Sequence, residues 1–211
     1  MIQIRPAVHA DLAAIMELET HWPEGQRAVQ EQFEARLEKF PEGFLLACAE
    51  NGDLIGSMTA CPISYDPGKP DRIGTWSTVT NNGFIRSRDE VPNANTVYLV
   101  SAVVHRDYRG RDVFMRMVLA EVEVARANGL QYVAAGAVIP GYHRYVEKHG
   151  AISAADYVFT RKGHRLADPF IDQYRRIGFF VPDKRHVLSD YYDDSDSENH
   201  AAFVVHRLED V

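Results

Sequence analysis

Hydrophobic and polar positions alternate in blocks that predict a strand and helix order for most of the 211 residues. Val97, Leu99, Val103 and Val104, with Tyr98 and Ser101 between them, make a β-branched and aromatic run of strand length. Met115, Val118, Leu119, Val122 and Ala125 then recur at i, i+3, i+4, i+7 and i+10, one apolar stripe of a helix, and Gly129 stands where a left-handed C-terminal cap ends it. Upstream, Ile2 to Arg5 alternates as a short strand, and Asp11 is placed as N-cap for Leu12, Ile15, Met16 and Leu18 at helical spacing. A second helix is expected over Arg27 to Phe40, ended by Pro41 and Gly43. Phe44 to Glu50 and Leu54 to Cys61, on either side of an Asn-Gly-Asp turn, predict a hairpin.

The long stretch from Pro62 to Asn95 is rich in turn formers. Within it Trp76, Thr78 and Thr80 alternate, which puts them on one face of an extended segment, either as core packing or as a substrate wall. Leu130 to Val138 reads as a strand whose Gly136 marks a close approach by backbone or ligand. Ser153 with Asp156 starts a short helix through Phe159, and Asp168 to Ile177 predicts the last helix. Phe179 to Leu188 and Ala201 to Leu208 are expected as terminal strands flanking an acidic Ser/Asp loop that is most simply a solvated connection.

The strand from Thr96 feeds straight into its helix, so backbone N–H groups point outward beside a positive dipole end, a ready site for phosphate. Arg106, Arg109 and Arg111 surround that point. This stretch resembles the acyl-CoA signature of the GNAT acyltransferase superfamily, V-x-P-x-x-R-G-x-G-x-G/A. Val104, Arg109 and Gly110 match; Arg106 replaces the proline, Asp112 the second glycine and Phe114 the final small residue. Asp112 is a good N-cap residue that brings negative charge to the place where a diphosphate would sit. The opening IQIRPAVHADLAAIMELE is similar to the start of many GNAT domains, and Tyr174 in YRRIGF matches the superfamily's Y-x-x-x-G-F. WSTVTNNG, PGYHRY, SAADYV and DPFIDQY also resemble a narrower branch, the GNAT-like proteins of natural-product assembly lines, which include polyketide loading domains.

The resemblance implies one α/β domain over 1–211, with a mixed sheet of about seven strands, one pair of them splayed, and about four flanking helices. Residues 139–167 read as an insertion over the active-site mouth. The donor implied is acetyl-CoA, another acyl-CoA, or phosphopantetheine on an acyl carrier protein. It would be held by Ala102, Val103, Val104, Arg109, Gly110, Arg111, Asp112, Val113 and Phe114, with oxyanion donors where the central strand bulges near Ala102 to Val104. Tyr174 is implied as proton donor to the leaving thiolate, and His143 is the candidate base, since imidazole titrates near neutrality; Ser101, His105 and His149 are weaker candidates. Trp76, Thr78 and Tyr142 are candidate acceptor contacts. The reaction expected is acyl transfer to a small amine or amino-acid-like acceptor. Decarboxylation or S-acyl transfer on carrier-bound groups is the alternative, and a non-catalytic acyl-thioester binder is a third.

Composition narrows the partners. A net charge of -7 argues against a nucleic-acid surface, so the arginines of the central turn are a local patch on an acidic body. Cys48 and Cys61 lack metal-ligand spacing, so buried free thiols in a reducing compartment are expected, and no metal site. The N-terminus carries charge and proline where a signal peptide needs an apolar run, and no apolar stretch approaches 18 residues, so a cytoplasmic monomer or homodimer without membrane contact is expected.

Overall fold

The computed structural model describes residues 2–208. The chain forms two compact units, one built on residues 2–64, 80–133 and 208, the other on Tyr65–Val79 and Ala134–Arg207.

In the first unit β1 (Gln3–Pro6), β2 (Phe44–Cys48), β3 (Leu54–Ile63) and β4 (Thr96–Val104) pair antiparallel in that order. Helices α1 (Leu12–Glu19) and α2 (Gln30–Lys39) precede the hairpin and α4 (Val113–Ala127) follows β4; the short α3 (Trp76–Thr80), between β3 and β4 in the chain, belongs to the second unit except for Thr80. The Phe-Leu-Leu-Ala-Cys run of β2 is buried throughout, and Phe44 and Leu46 join Ile15 of α1 with Phe33 and Leu37 of α2 in one apolar cluster. Helix α2 starts later than expected, because Gln32 accepts the Val29 N–H at 2.8 Å and Arg27 turns its guanidinium back onto the Trp22 and Thr20 carbonyls. Gly129 takes the left-handed conformation (φ 63°) expected after α4. The buried face of α4 is rotated from the expected stripe: Val113, Met117, Val118, Glu121, Val122 and Ala125 are buried, while Leu119 is 44% exposed. Gly56 of β3 explains the rotation, since a Cβ there would lie 3.1 Å from both Val113 and Met117.

The second unit carries most of β5 (Tyr132–Val138), then α5 (Tyr142–His149), α6 (Ala154–Phe159), the two-stranded ribbon of β6 (Arg161–Lys162) and β7 (Arg165–Leu166), α7 (Pro169–Arg176), β8 (Val187–Leu188) and β9 (Ala201–Arg207). The mixed seven-stranded sheet runs β1-β2-β3-β4-β5-β9-β8, with seven α-helices among the described residues where about four were expected. Ser153 caps α6 by accepting the Asp156 N–H, as its spacing predicts. Asp168 is the buried hub of this unit. Its carboxylate caps α7 by accepting the Phe170 and Ile171 N–H groups at 2.9 and 3.1 Å, and it also accepts the Gly141 N–H and the Tyr157 hydroxyl.

Three expectations fail here for local reasons. The segment at Trp76 is helical, because the Thr75 hydroxyl accepts the Thr78 N–H at 3.3 Å in the manner of an N-cap; Trp76 and Thr78, two residues apart, therefore do not share a face. No continuous strand spans Phe179 to Leu188: Pro182 lacks a donor and Lys184–His186 forms a 3-10 turn, which leaves a bridge from Phe180 to Val205 and the short β8. The acidic loop is an ordered structure. Asp194 accepts from the Ser197 N–H and hydroxyl, Ser197 is fully buried and accepts the Ile139 N–H at 2.9 Å, and Tyr191 lies across Gly136, where a Cβ would fall 2.1 Å from its ring. The close approach that Gly136 signals is that tyrosine ring.

Candidate active site

The donor-side candidates are consecutive in the first unit. Strand β4 pairs Ser101 with Thr59 but Leu99 with Ala60, so Val100 is an extra residue. The bulge thus falls at Val100, before the expected Ala102 to Val104, which pair regularly with β3. After Val104, His105 starts a 3-10 turn over Arg106–Tyr108, accepting the Asp107 N–H on Nδ1 at 3.3 Å. Gly110 is left-handed at φ 77°, with open space where a Cβ would stand. Asp112 corrects its expectation: it too is left-handed (φ 58°), its exposed carboxylate makes no capping hydrogen bond, and Val113 and Phe114 open the helix beyond it. Arg106, Arg109, Arg111 and Arg116 are all exposed. Arg111 lies over the Tyr108 ring at 5.1 Å, and among the described residues none of the four pairs with a carboxylate. His21 is pushed below the ordinary histidine range, first by desolvation and then by His105, Arg106 and Arg109. The first-turn N–H groups of a 15-residue helix and these four guanidiniums fit a phosphate-bearing donor.

A second cluster in the same unit was not read from the sequence. Arg36 of α2 is 1% exposed. Its Nε donates to the Gly83 carbonyl at 2.8 Å, and its Nη1 donates to Ser101 Oγ at 3.2 Å and Thr59 Oγ1 at 3.3 Å. The two hydroxyls lie 2.9 Å apart beside the bulge. Burial pulls the guanidinium down to about 10, with Glu19 acting against the shift. The turn that Arg36 holds is strained, since Asn81, Asn82 and the β-branched Ile85 all have positive φ. The available signal was position: Arg36 falls three residues after Phe33, on the apolar side of α2.

The remaining candidates lie in the second unit. Tyr174 of α7 is 3% exposed, its ring 5.3 Å from both Phe170 and Phe179, and burial raises its phenol so that it stays protonated at neutral pH. His143 of α5 is exposed, with Nδ1 3.1 Å from Glu198 and Nε2 3.5 Å from Glu147. The hydrogen bond to Glu198, then the charge of Glu147, raise its pKa and favour the imidazolium. Tyr142 on the same helix is buried and donates its hydroxyl to the Ile152 carbonyl at 2.7 Å. Trp76 borders an open depression of about 440 Å³ with Tyr191, Tyr192, Asp190 and Asp193, its ring 5.6 Å from Tyr192; Thr78 is not in its lining. Among the described residues no group of three or more His, Cys, Asp or Glu is placed to hold a metal ion, and no helix is long and apolar enough to cross a membrane.

No protein-family profile matches the chain. Two solved structures share its fold over nearly its whole length. The loading GNATL domain of CurA from Lyngbya majuscula has a TM-score of 0.77 at 17% identity, covering 98% of both chains. The GphF GNAT-like decarboxylase in complex with isobutyryl-CoA also has a TM-score of 0.77, at 24% identity, covering 98% of this chain and 100% of that one. The Bacillus subtilis (strain 168) protein named uncharacterized N-acetyltransferase YkwB is 29% identical over 208 residues, 96% of this chain and 87% of the relative. The chain has the GNAT fold. In this chain Asp112 stands where the signature has its second glycine and is left-handed, a conformation that Asp is one of the few side-chain-bearing residue types to tolerate. The replacement that looked disruptive therefore fits the left-handed turn that leads into α4.

Proposed function

We propose that this GNAT-fold protein moves an acyl group from a coenzyme A thioester to a small amine or amino-acid-like acceptor. The observation that carries the reading is the four guanidiniums around the entrance of α4, none paired with a carboxylate among the described residues, directly after the bulged strand and on a chain of net charge -7. The phosphates are taken by Arg106, Arg109, Arg111 and Arg116 and by the N–H groups from Gly110 to Phe114, and the pantetheine arm by the backbone of Ala102, Val103 and Val104. In the reaction the amine nitrogen attacks the thioester carbonyl, the carbon–sulfur bond breaks, the amine loses a proton and the thiolate gains one. Tyr174, protonated at neutral pH, is assigned the second transfer. His143 is assigned the first, and because its glutamates favour the imidazolium, activity that depends on it rises with pH through a value above the ordinary histidine range. Trp76, Tyr192, Asp190 and Asp193 suit a cationic amine, which the ring faces and carboxylates both attract.

The likeness to the CurA loading domain and the GphF decarboxylase supports a second reading, decarboxylation or transfer of a carrier-borne acyl group. The deciding experiment incubates the protein with acetyl, malonyl and longer acyl groups on coenzyme A and on a carrier protein, and locates the acyl group by mass spectrometry. Acyl transfer to an amine supports the first reading, and carbon dioxide release or a thiol-bound product supports the second. A chain that binds acyl-CoA with no turnover overturns both. If acyl-CoA binds at this mouth, replacing Arg109 by Ala weakens it about tenfold, the size of a lost hydrogen bond to a charged group, and the gap narrows as salt rises.

A further inference from the structure

We infer that Ser101 donates a hydrogen bond to the carbonyl oxygen of the bound acyl thioester, with Arg36 and Thr59 as the residues that aim its proton; the inference rests on the acyl-donor reading above. The direction of the hydroxyl pair follows from satisfying every donor. Arg36 has no acceptor, so both hydroxyl oxygens accept from its Nη1, which carries two hydrogens. Thr59 is 1% exposed, and among the described residues its hydroxyl has no acceptor besides Ser101, at 2.9 Å. Were Ser101 the donor in that pair, the Thr59 proton would be buried without a partner, at a cost of about 1–3 kcal/mol. Thr59 therefore donates, and Ser101 Oγ accepts twice.

The Ser101 proton is then left for something outside the cluster, and Ser101 is the half-buried member. A hydroxyl whose oxygen accepts from a buried guanidinium is a stronger donor, and its fitting partner is an oxygen that gains negative charge. On the acyl-donor reading, the oxygen that meets it beside the Val100 bulge is the thioester carbonyl, which becomes an oxyanion as the amine adds. Ser101 thus acts as a donor to the reacting group, and Arg36 and Thr59 as positioning residues; the strained turn whose Gly83 carbonyl Arg36 also holds is fixed by the same contacts.

The test uses acetyl-CoA labelled with carbon-13 at the carbonyl, together with the rate of free coenzyme A release. Wild type is expected to bind it with the carbonyl resonance moved downfield, as hydrogen bonding polarises it. Ser101→Ala is expected to bind acetyl-CoA as well as wild type, return the resonance toward the free position and lower kcat about a hundredfold with KM within about twofold. Ser101→Thr restores both readouts. Thr59→Val and Arg36→Lys, which leave the Ser101 hydroxyl in place, give intermediate resonance shifts, a change that loss of folding would not produce. An unshifted carbonyl in wild type, or a Ser101→Ala variant with wild-type kcat, overturns this inference while leaving the donor reading intact. Failure of acetyl-CoA to bind wild type at all overturns the donor reading and this inference with it.

Discussion

Glu121 is expected to make the folded protein lose stability as pH rises toward neutrality. It lies on the buried face of α4 with no exposed surface, and among the described residues neither carboxyl oxygen has a hydrogen-bond partner. Desolvation alone raises it well above its ordinary value of 4.5. The unfolded chain releases this proton near the ordinary value, whereas the folded chain keeps it. Between the two values the folded state holds more protons, so stability falls with rising pH by about 1.4 kcal/mol per pH unit, until the folded value is passed. Glu121→Gln cannot ionise and loses this slope, though it keeps a buried polar group. Glu121→Met also removes the unsatisfied oxygens and gains about a further 1–3 kcal/mol, which for a chain of this size is about 2–4 °C in Tm for each kcal/mol. The assay is urea denaturation of the three proteins from pH 5 to pH 8. Differences from wild type isolate Glu121, because carboxylates held low by their partners, such as Asp11 beside Arg5 and Asp183 beside Arg185, are common to all three. Parallel stability curves for wild type and the Gln variant, or a Met variant less stable than wild type at pH 8, refute the argument.

Two further changes test the reading of single positions. Gly136→Ala puts a Cβ 2.1 Å from the Tyr191 ring and is expected to cost about 1–3 kcal/mol by overpacking. A double-mutant cycle with Tyr191→Ala should recover at least part of that cost, and additivity would mean that the ring is not the cause. Asp112→Asn keeps a residue that tolerates the left-handed conformation and removes the carboxylate from the phosphate mouth. Calorimetry at low ionic strength should show coenzyme A bound about two- to fivefold more tightly, with the gap closing as salt is added; weaker binding by the Asn variant counts against the site.

Where local chemistry decides, the sequence was readable. Leu54 to Thr59 pairs with Phe44 to Cys48 because each belongs to an apolar run beside a turn that Gly52 closes at φ 91°. Asp168 caps α7 and Pro169 fills its first turn, as the residue types demand. What was not readable depends on contacts distant in sequence. The face of α4 was set by Gly56 of β3, some sixty residues earlier in the chain, which admits Val113 and Met117 closely and turns Leu119 outward. The strand expected at Trp76 became a helix through a threonine hydroxyl one residue upstream of it. The acidic loop read as solvated because its composition is polar, whereas Asp194 and Ser197 spend that polarity inside the fold. For the site, arginines, glycine and aspartate at the mouth of α4 carried a visible pattern, while Arg36 looked like one more polar residue on an amphipathic helix.

One side of α2 has a task that such a reading misses. Gln32, Arg36 and Lys39 donate to the carbonyls of Asn82, Gly83 and Ile85 at 2.7, 2.8 and 3.2 Å. Their spacing of four and three residues keeps them on one side of the helix, so three successive donors meet one turn. That turn needs them. Asn81, Asn82 and Ile85 are left-handed at φ 52°, 53° and 48°, and residues held in such conformations cost on the order of 1–3 kcal/mol each. Two of the three bonds come from cations, worth about 1.5–3 kcal/mol each, so clamp and strain are of similar size and the turn depends on α2. Gly83 fits between them because a Cβ there would lie 2.8 Å from Gln32 and 2.9 Å from Arg36. A chain with no use for this backbone path would avoid the strain by a different turn. Keeping it, with the same guanidinium also on Ser101, couples the path of the turn to the orientation of the hydroxyl beside the bulge.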